Sequence, residues 1–448
     1  MKKSFFGKKI LVKIFTLFVI LNFNIFAETY TWIGQISSDW EEAGNWDTTD
    51  STTPGYNIVL APATYPVNFS TRNTNDFASL VVEAGVSIDI DRDITVTNTF
   101  TNKGTVTVSG SGIIITCGSI ENRGSFDFGS NSVNCGDLQN RGTLSFTGNL
   151  DVTNNASFVS YFTNEGTVTV NNNATFSDTF TNKGNFSITG DGIFSSDVIN
   201  DGGTISISKN ASFSVSLTNN GTITFGTGNF TVAESYSGTG TLTLPSGKAT
   251  FGANVTNNGE IVGGTGELLV NGNYSGSGKL TLSSTTSTFK GESVDFSVTE
   301  LIHNGGTIIF AKEPSGFSSY GQVDLKVNNT VFNNVQIGTN DKTVQIDVTG
   351  NFTVAGDFSA SNPINRFSQQ QTSSYKGITF SGTGKNISFL GKNTIEQIQV
   401  TGGSNTISFA SENTITNLSV TANGNEITFS AENAITDLSV TANSNELM

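Results

Sequence analysis

The sequence predicts an all-β protein. The expected fold is a single-stranded parallel β-helix, or β-solenoid, with coils of about 18–20 residues and an N-terminal cap. Three observations predict it. First, a short phrase recurs ten times between Phe100 and Leu282, as in Phe100-Thr-Asn-Lys-Gly104-Thr-Val-Thr-Val108 and Ile120-Glu-Asn-Arg-Gly124-Ser-Phe-Asp-Phe128. Its glycines are Gly104, Gly124, Gly142, Gly166, Gly184, Gly203, Gly221, Gly240, Gly259 and Gly278, in steps of 20, 18, 24, 18, 19, 18, 19, 19 and 19. Second, the residues after each glycine alternate polar and apolar with the two-residue period of a strand. Third, the 34 phenylalanines and the 35% hydrophobic content recur at fixed places in the phrase. Disordered chains lack that regularity.

The chain opens with Met1-Lys-Lys-Ser-Phe-Phe-Gly-Lys-Lys9 and enters an apolar run from Ile10 to Ala27. A basic start, a short apolar middle and a small final residue predict a secretory signal peptide over residues 1–27. The product is therefore expected outside the cell or on its outer surface. The uninterrupted stretch Ile14–Leu21 is shorter than the roughly 20 apolar residues that span a bilayer. An uncleaved anchor is the weaker alternative, and the mature chain is expected to carry no transmembrane segment. Met1–Ala27 holds five of the 22 basic residues and none of the 37 acidic ones, so its removal shifts the net charge from −15 to −20. Such acidity excludes nucleic-acid binding and leaves room for weak Ca²⁺ contacts.

Residues 28–98 are expected to form the cap and first coils, and 99–289 the regular repeats. Within a repeat, Val106, Phe126, Leu144, Val168, Phe186 and Ile205 stand two residues after the glycine and point inward. Thr105, Thr107, Thr222, Thr224, Thr241 and Thr243 face water. Two residues before the glycines stand Asn102, Asn122, Asn140, Asn164, Asn182, Asp201, Asn219 and Asn257, with Gly238 and Gly276 in two variant repeats. These are assigned a structural turn role: Asn, Asp and Gly tolerate the positive φ of a sharp bend, and stacked Asn side chains can bond from coil to coil. Residues 290–376 are expected to be irregular coils with longer loops. Residues 377–448 carry a stricter 20-residue repeat marked by Phe389, Phe409 and Phe429. The chain stops at Asn445-Glu-Leu-Met448, inside what would be the next coil, as expected of a shortened gene product. An uncapped last edge favours end-to-end self-association.

The N-terminal segment reads Tyr30-Thr-Trp-Ile-Gly34, then Asp39-Trp40, Asn45-Trp46 and Pro54-Gly55. This stretch of about 30 residues resembles the opening of bacterial secreted and surface β-helix proteins of the adhesin-like, haemagglutinin-like and autotransporter-passenger kinds. The resemblance implies a secreted bacterial solenoid and names no ligand. The translocator barrel that autotransporters carry is not found in this sequence, which leaves the export route open. Trp32, Trp40 and Trp46 are expected to close the first coil, with an exposed sugar-stacking platform as the alternative.

Few residues suggest chemistry, and no catalytic residue, cofactor or metal site is assigned. Cys117 and Cys135 each lie seven residues before a glycine, hence in adjacent coils about 4.8 Å apart. A disulfide and a buried thiol pair are equally compatible with that placement. The lone His303 sits in a turn phrase, so no histidine-based triad has support. Asp89, Asp91 and Asp93 alternate along one strand face, and Asp39, Glu41, Glu42, Asp47 and Asp50 form a second acidic group. Neither matches a Ca²⁺-binding loop, and both are expected to be solvated surface. The expected function is a non-catalytic, adhesin-like structural or attachment protein, with a host or matrix glycan or protein as partner. A carbohydrate-active β-helix enzyme, lyase or hydrolase, is the alternative. The Thr pairs raise a third class, a surface-lattice binder, provided that they share one plane.

Overall fold

In a computed structural model, residues 28–47, 56–64, 66–71, 75–313, 321–338, 344–360, 373–389 and 392–448 are described. The expected signal peptide, Met1–Ala27, lies outside them. The described chain is a β-solenoid of about 18 turns in which every strand pairing is parallel. One turn has three sides. In a representative turn, Asn149–Val152 forms face one, Ala156–Phe158 face two and Phe162–Asn164 face three. Each strand pairs with its counterpart one turn on: Asn149–Val152 with Thr167–Val170, Ala156–Phe158 with Ala174–Phe176, and Phe162–Asn164 with Phe180–Asn182.

Alternation decides what each strand hides. Val168, Val170, Phe176 and Phe180 point inward and are buried, while the Thr and Ser between them reach the surface. In-register stacking sets like upon like, as the face-two phenylalanines show. Phe158, Phe176, Phe194 and Phe213 stack at 4.6, 4.9 and 4.6 Å with planes within 10° of parallel. Burial depends on the next row. Leu418 and Val420 are 1% and 0% exposed, whereas Leu438 and Val440, their partners one row on, are 49% and 38% exposed.

The ten phrases do not form one column. Thr105–Val108, Ser125–Gly129 and Thr143–Phe146 stack on face three. Thr167–Val170 instead pairs with Asn149–Val152 on face one, and the later phrases follow it. The cause is the irregular step of 24 between Gly142 and Gly166, six residues more than the 18 of its neighbours. Six residues are about one side of the triangle, so the phrase moves round by one corner. Glycine stacking shows the same shift. A Cβ on Gly142 would meet the Gly124 carbonyl oxygen at 2.1 Å, but one on Gly166 would meet that of Gly148.

This contact also corrects the reason for the turn residues. Of the residues two before the phrase glycines, Gly276 has the expected positive φ (124°), but the asparagines, Asp201 and Gly238 do not, and neither do the ten phrase glycines. Glycine is required because the backbone of the adjacent turn passes too close for any side chain, and asparagine because it forms ladders. At the corner between faces two and three, Asn102 donates to Asn122 (2.9 Å) and Asn122 to Asn140 (2.7 Å). At the corner between faces three and one, Asn164 donates to Asn182, Asn182 to Asn200 and Asn200 to Asn219, at 2.8, 2.9 and 2.8 Å. The third rung of the second ladder is thus Asn200. The neighbouring Asp201, singled out by spacing, is exposed because Gly202 adds a residue to that turn. Asn257 donates to the Tyr274 hydroxyl (3.3 Å) in the turn where Gly276 replaces the asparagine.

Residues that lack the phrase still join the stack. Thr29–Trp32, Asn57–Leu60 and Ser79–Val82 are successive face-two rows, leading to Phe100–Asn102. Further on, Thr307–Phe310, Asn334–Ile337 and Phe358–Ala360 continue face two, and Asn386–Phe389, Thr406–Phe409, Glu426–Phe429 and Glu446–Leu447 follow in steps of 20. Exposed Lys–Glu pairs tie neighbouring turns, as in Lys103–Glu83 (2.8 Å) and Lys392–Glu412 (3.1 Å).

Asn182→Ala would leave Asn164 without its acceptor and Asn200 without its donor inside the core. The variant is expected to lower stability by about 2–3 kcal/mol, read as a fall in the urea midpoint. The exposed Asn220→Ala is expected to change it by less than about 0.5 kcal/mol.

Candidate functional site

The ladder asparagines Asn102, Asn122, Asn140, Asn164, Asn182, Asn219 and Asn257 are fully buried, so they are not available to a ligand. A second column, not found from the sequence, lines the corner between faces one and two. There Asn155 accepts from the Asn173 amide, Asn173 from Asp191, Asp191 from Asn210, and Asn210 from Asn229, at 3.3, 2.8, 3.0 and 2.9 Å. Its signal was present as Asn or Asp recurring at 18 or 19 residues.

Cys117 and Cys135 are in-register partners on face one, both buried and both free thiols. Burial is the main reason that both thiols are pushed up, Cys135 to about 12. They are therefore poor nucleophiles. Trp32, Trp40 and Trp46 are 1%, 0% and 3% exposed. Their rings meet edge to face, Trp40–Trp46 at 4.6 Å and Trp32–Trp46 at 5.2 Å, and Trp40 also meets Phe69 at 5.3 Å. The Trp46 indole donates to the Trp40 carbonyl (2.9 Å). With no ring face open to solvent, the sugar-platform alternative is overturned.

The three aspartates do not share one strand face. The strand ends at Ile90, and the chain turns through Asp91–Asp93. Asp89 bonds Ser109, Asp91 pairs with Arg92 (3.1 Å), and Asp93 accepts from the Ile114 amide (2.8 Å). In the other acidic group, Asp39 accepts from the Glu41 amide (3.1 Å) and Asp47 from that of Thr31 (2.8 Å), while Asp50 lies outside the described residues. Among the described residues no three His, Cys, Asp or Glu side chains converge as metal ligands. His303 accepts the Gly305 amide on Nδ1 (3.0 Å), which leaves the neutral ring its proton on Nε2. The Thr pairs fail the condition for a lattice binder. Thr105 and Thr107 lie on face three, Thr222, Thr224, Thr241 and Thr243 on face one.

Two surface grooves are larger than the others described. One, of about 720 Å³, crosses face two and holds Glu121, Gln139, Asp137, Asn155, Asn173 and Asp191. Its carboxylates are engaged in the scaffold: Glu121 by Arg123 (2.9 Å), Asp137 by the Asn155 amide (3.2 Å) and Asp191 by Asn210 (2.9 Å). The other, of about 680 Å³, lies on face three and holds Arg123, Arg141, Ser145, Tyr161, Glu165 and Lys183. It sits where the phrase changes face. The face-three strands Thr143–Phe146 and Phe162–Asn164 are neighbours there, yet they belong to separate sheets and do not pair.

No protein-family model, curated protein or solved structure matches this chain. Nor, among the described residues, is any helix long and apolar enough to cross a membrane.

The folded state holds the two thiols above their unfolded pKa of about 8.5, so it binds more protons than the unfolded chain in alkali. Their stabilisation is whole below that pH and declines above it. A melting curve is expected to fall as pH rises past about 8.5, and Cys117→Ala/Cys135→Ala to fall less steeply. A thiol reagent at neutral pH should label neither cysteine until the chain is unfolded.

Proposed function

We propose that this chain is a non-catalytic attachment or spacer protein of the cell exterior, adhesin-like in kind, which presents its outer faces to a host or matrix glycan or protein. The observation that carries this is how the polar side chains are used. The inner asparagines hold turn to turn, and the carboxylates of the face-two groove are bonded to neighbouring turns or to an arginine. What remains on the faces is repeated Ser, Thr and Asn at the spacing of stacked strands. Such a surface suits weak contacts multiplied along a long ligand. The role requires no cofactor. The resemblance of Tyr30–Gly55 to secreted bacterial solenoids supports export.

The second class, a carbohydrate-active enzyme, draws on one observation. Glu121, Asp137 and Asp191 line a single groove, and paired carboxylates are what glycoside hydrolysis uses.

The test is a screen of the protein against glycans and extracellular-matrix proteins, with released reducing ends assayed in the same wells. Saturable binding without release is expected. Shortened glycan chains would overturn the non-catalytic role, and Glu121→Gln, Asp137→Asn and Asp191→Asn would then show which carboxylate acts.

A further inference from the structure

We propose that the face-three groove at the interrupted ladder binds an acidic saccharide, a sugar chain bearing carboxylate or sulfate groups. This deepens the attachment role proposed above and rests on it. The groove gathers three cations, Arg123, Arg141 and Lys183, in a chain whose net charge is −15. Two of them have carboxylate neighbours: Arg123 pairs with Glu121, and Lys183 with Glu165 at 3.4 Å. Both pairs are exposed, and exposed pairs are worth only about 0–1 kcal/mol, so an incoming anion can open them. Arg141 is in no ion pair among the described residues, and the residue is exposed. Its planar fork matches a carboxylate or sulfate with two parallel bonds. The remaining acidic surface is screened beyond about 8 Å at physiological ionic strength.

The rest of the groove selects a sugar over a simple anion. Tyr161 is 56% exposed, a large aromatic ring left open in the groove. It is held in place, since Thr163 donates to its hydroxyl (2.9 Å) and that hydroxyl donates to Thr181 (3.4 Å). A fixed, open aromatic face packs on the apolar side of a pyranose. The hydroxyls of Thr143, Ser145, Ser160 and Thr163 line the groove around it. The break in the ladder supplies the concavity, because Phe162–Asn164 crosses face three without pairing to Thr143–Phe146 in the row before it.

Calorimetry on the full chain would use oligogalacturonate, dextran sulfate, dextran and a poly-glutamate peptide at two salt concentrations. Saturable binding of one or both acidic saccharides, weakening with salt, is expected, with dextran silent; the first two arms separate carboxylate from sulfate. Arg141→Gln should weaken it by about tenfold or more, and Tyr161→Ala comparably. Arg92→Gln, outside the groove, should not. Both groove positions are exposed, so the variants should melt with the parent. Equal binding of dextran, preference for the peptide, or an Arg141→Gln variant that binds like the parent would overturn the proposal. The last of these would leave the attachment role standing. Failure to bind any glycan or matrix protein in the wider screen would remove both.

Discussion

Everything in this molecule answers to one constraint. Each residue must accept, about 4.8 Å above and below it, the residue that occupies its place in the next turn. Residue types that stack on themselves are therefore admitted. Phenylalanine does so by parallel ring contact, as in the Phe389–Phe409–Phe429 column at 4.8 and 5.0 Å. Asparagine does so because its side chain both donates and accepts, so Asn393 can bond Asn413 and Asn413 bond Asn433 in an unbroken line. Charged residues stack badly on themselves; some on adjacent turns pair with the opposite sign, as Lys376 with Glu396 (3.0 Å), while Asp324 on Asp347 and Glu426 on Glu446 are like-charged rungs. Glycine is admitted where the next backbone leaves no room.

The constraint acts within a column and says little about which column. All three sides have nearly the same length and the same inward–outward alternation. A phrase that builds one corner can therefore build another. Asn102 and Asn164 belong to the same sequence phrase and to different corners, and both form ladders with the same chemistry. What distinguishes the corners is the strand that follows: Thr105–Val108 on face three, Thr167–Val170 on face one.

That equivalence explains what was legible from the sequence. The inward positions Val106, Phe126 and Val168 were readable because a two-residue period has one interpretation once a face is buried. The parallel stack followed from the repeat. The assignment of phrases to faces did not follow, because side length is a property of the closed triangle and not of the phrase. Positive φ was expected two residues before the phrase glycines and occurs there only at Gly276, since a bend between strands can be made in ordinary backbone when the neighbour is close. The face-three groove was the least legible feature. Arg141 and Tyr161 are 20 residues apart, at the 24-residue step between phrases, and their meeting is visible only in three dimensions.

The interrupted ladder also changes how the rod would carry load. Tension along the axis is borne by three hydrogen-bonded ladders side by side, each sharing the strain. Between Thr143–Phe146 and Phe162–Asn164 the third ladder is missing, so at that level faces one and two take the whole force. A shaft built from near-identical rungs thus contains a preset yield point. It lies close to the N-terminal third of the chain, at the same place as the cationic groove, so a ligand seated across that break would span the two unpaired strands and act as a splint.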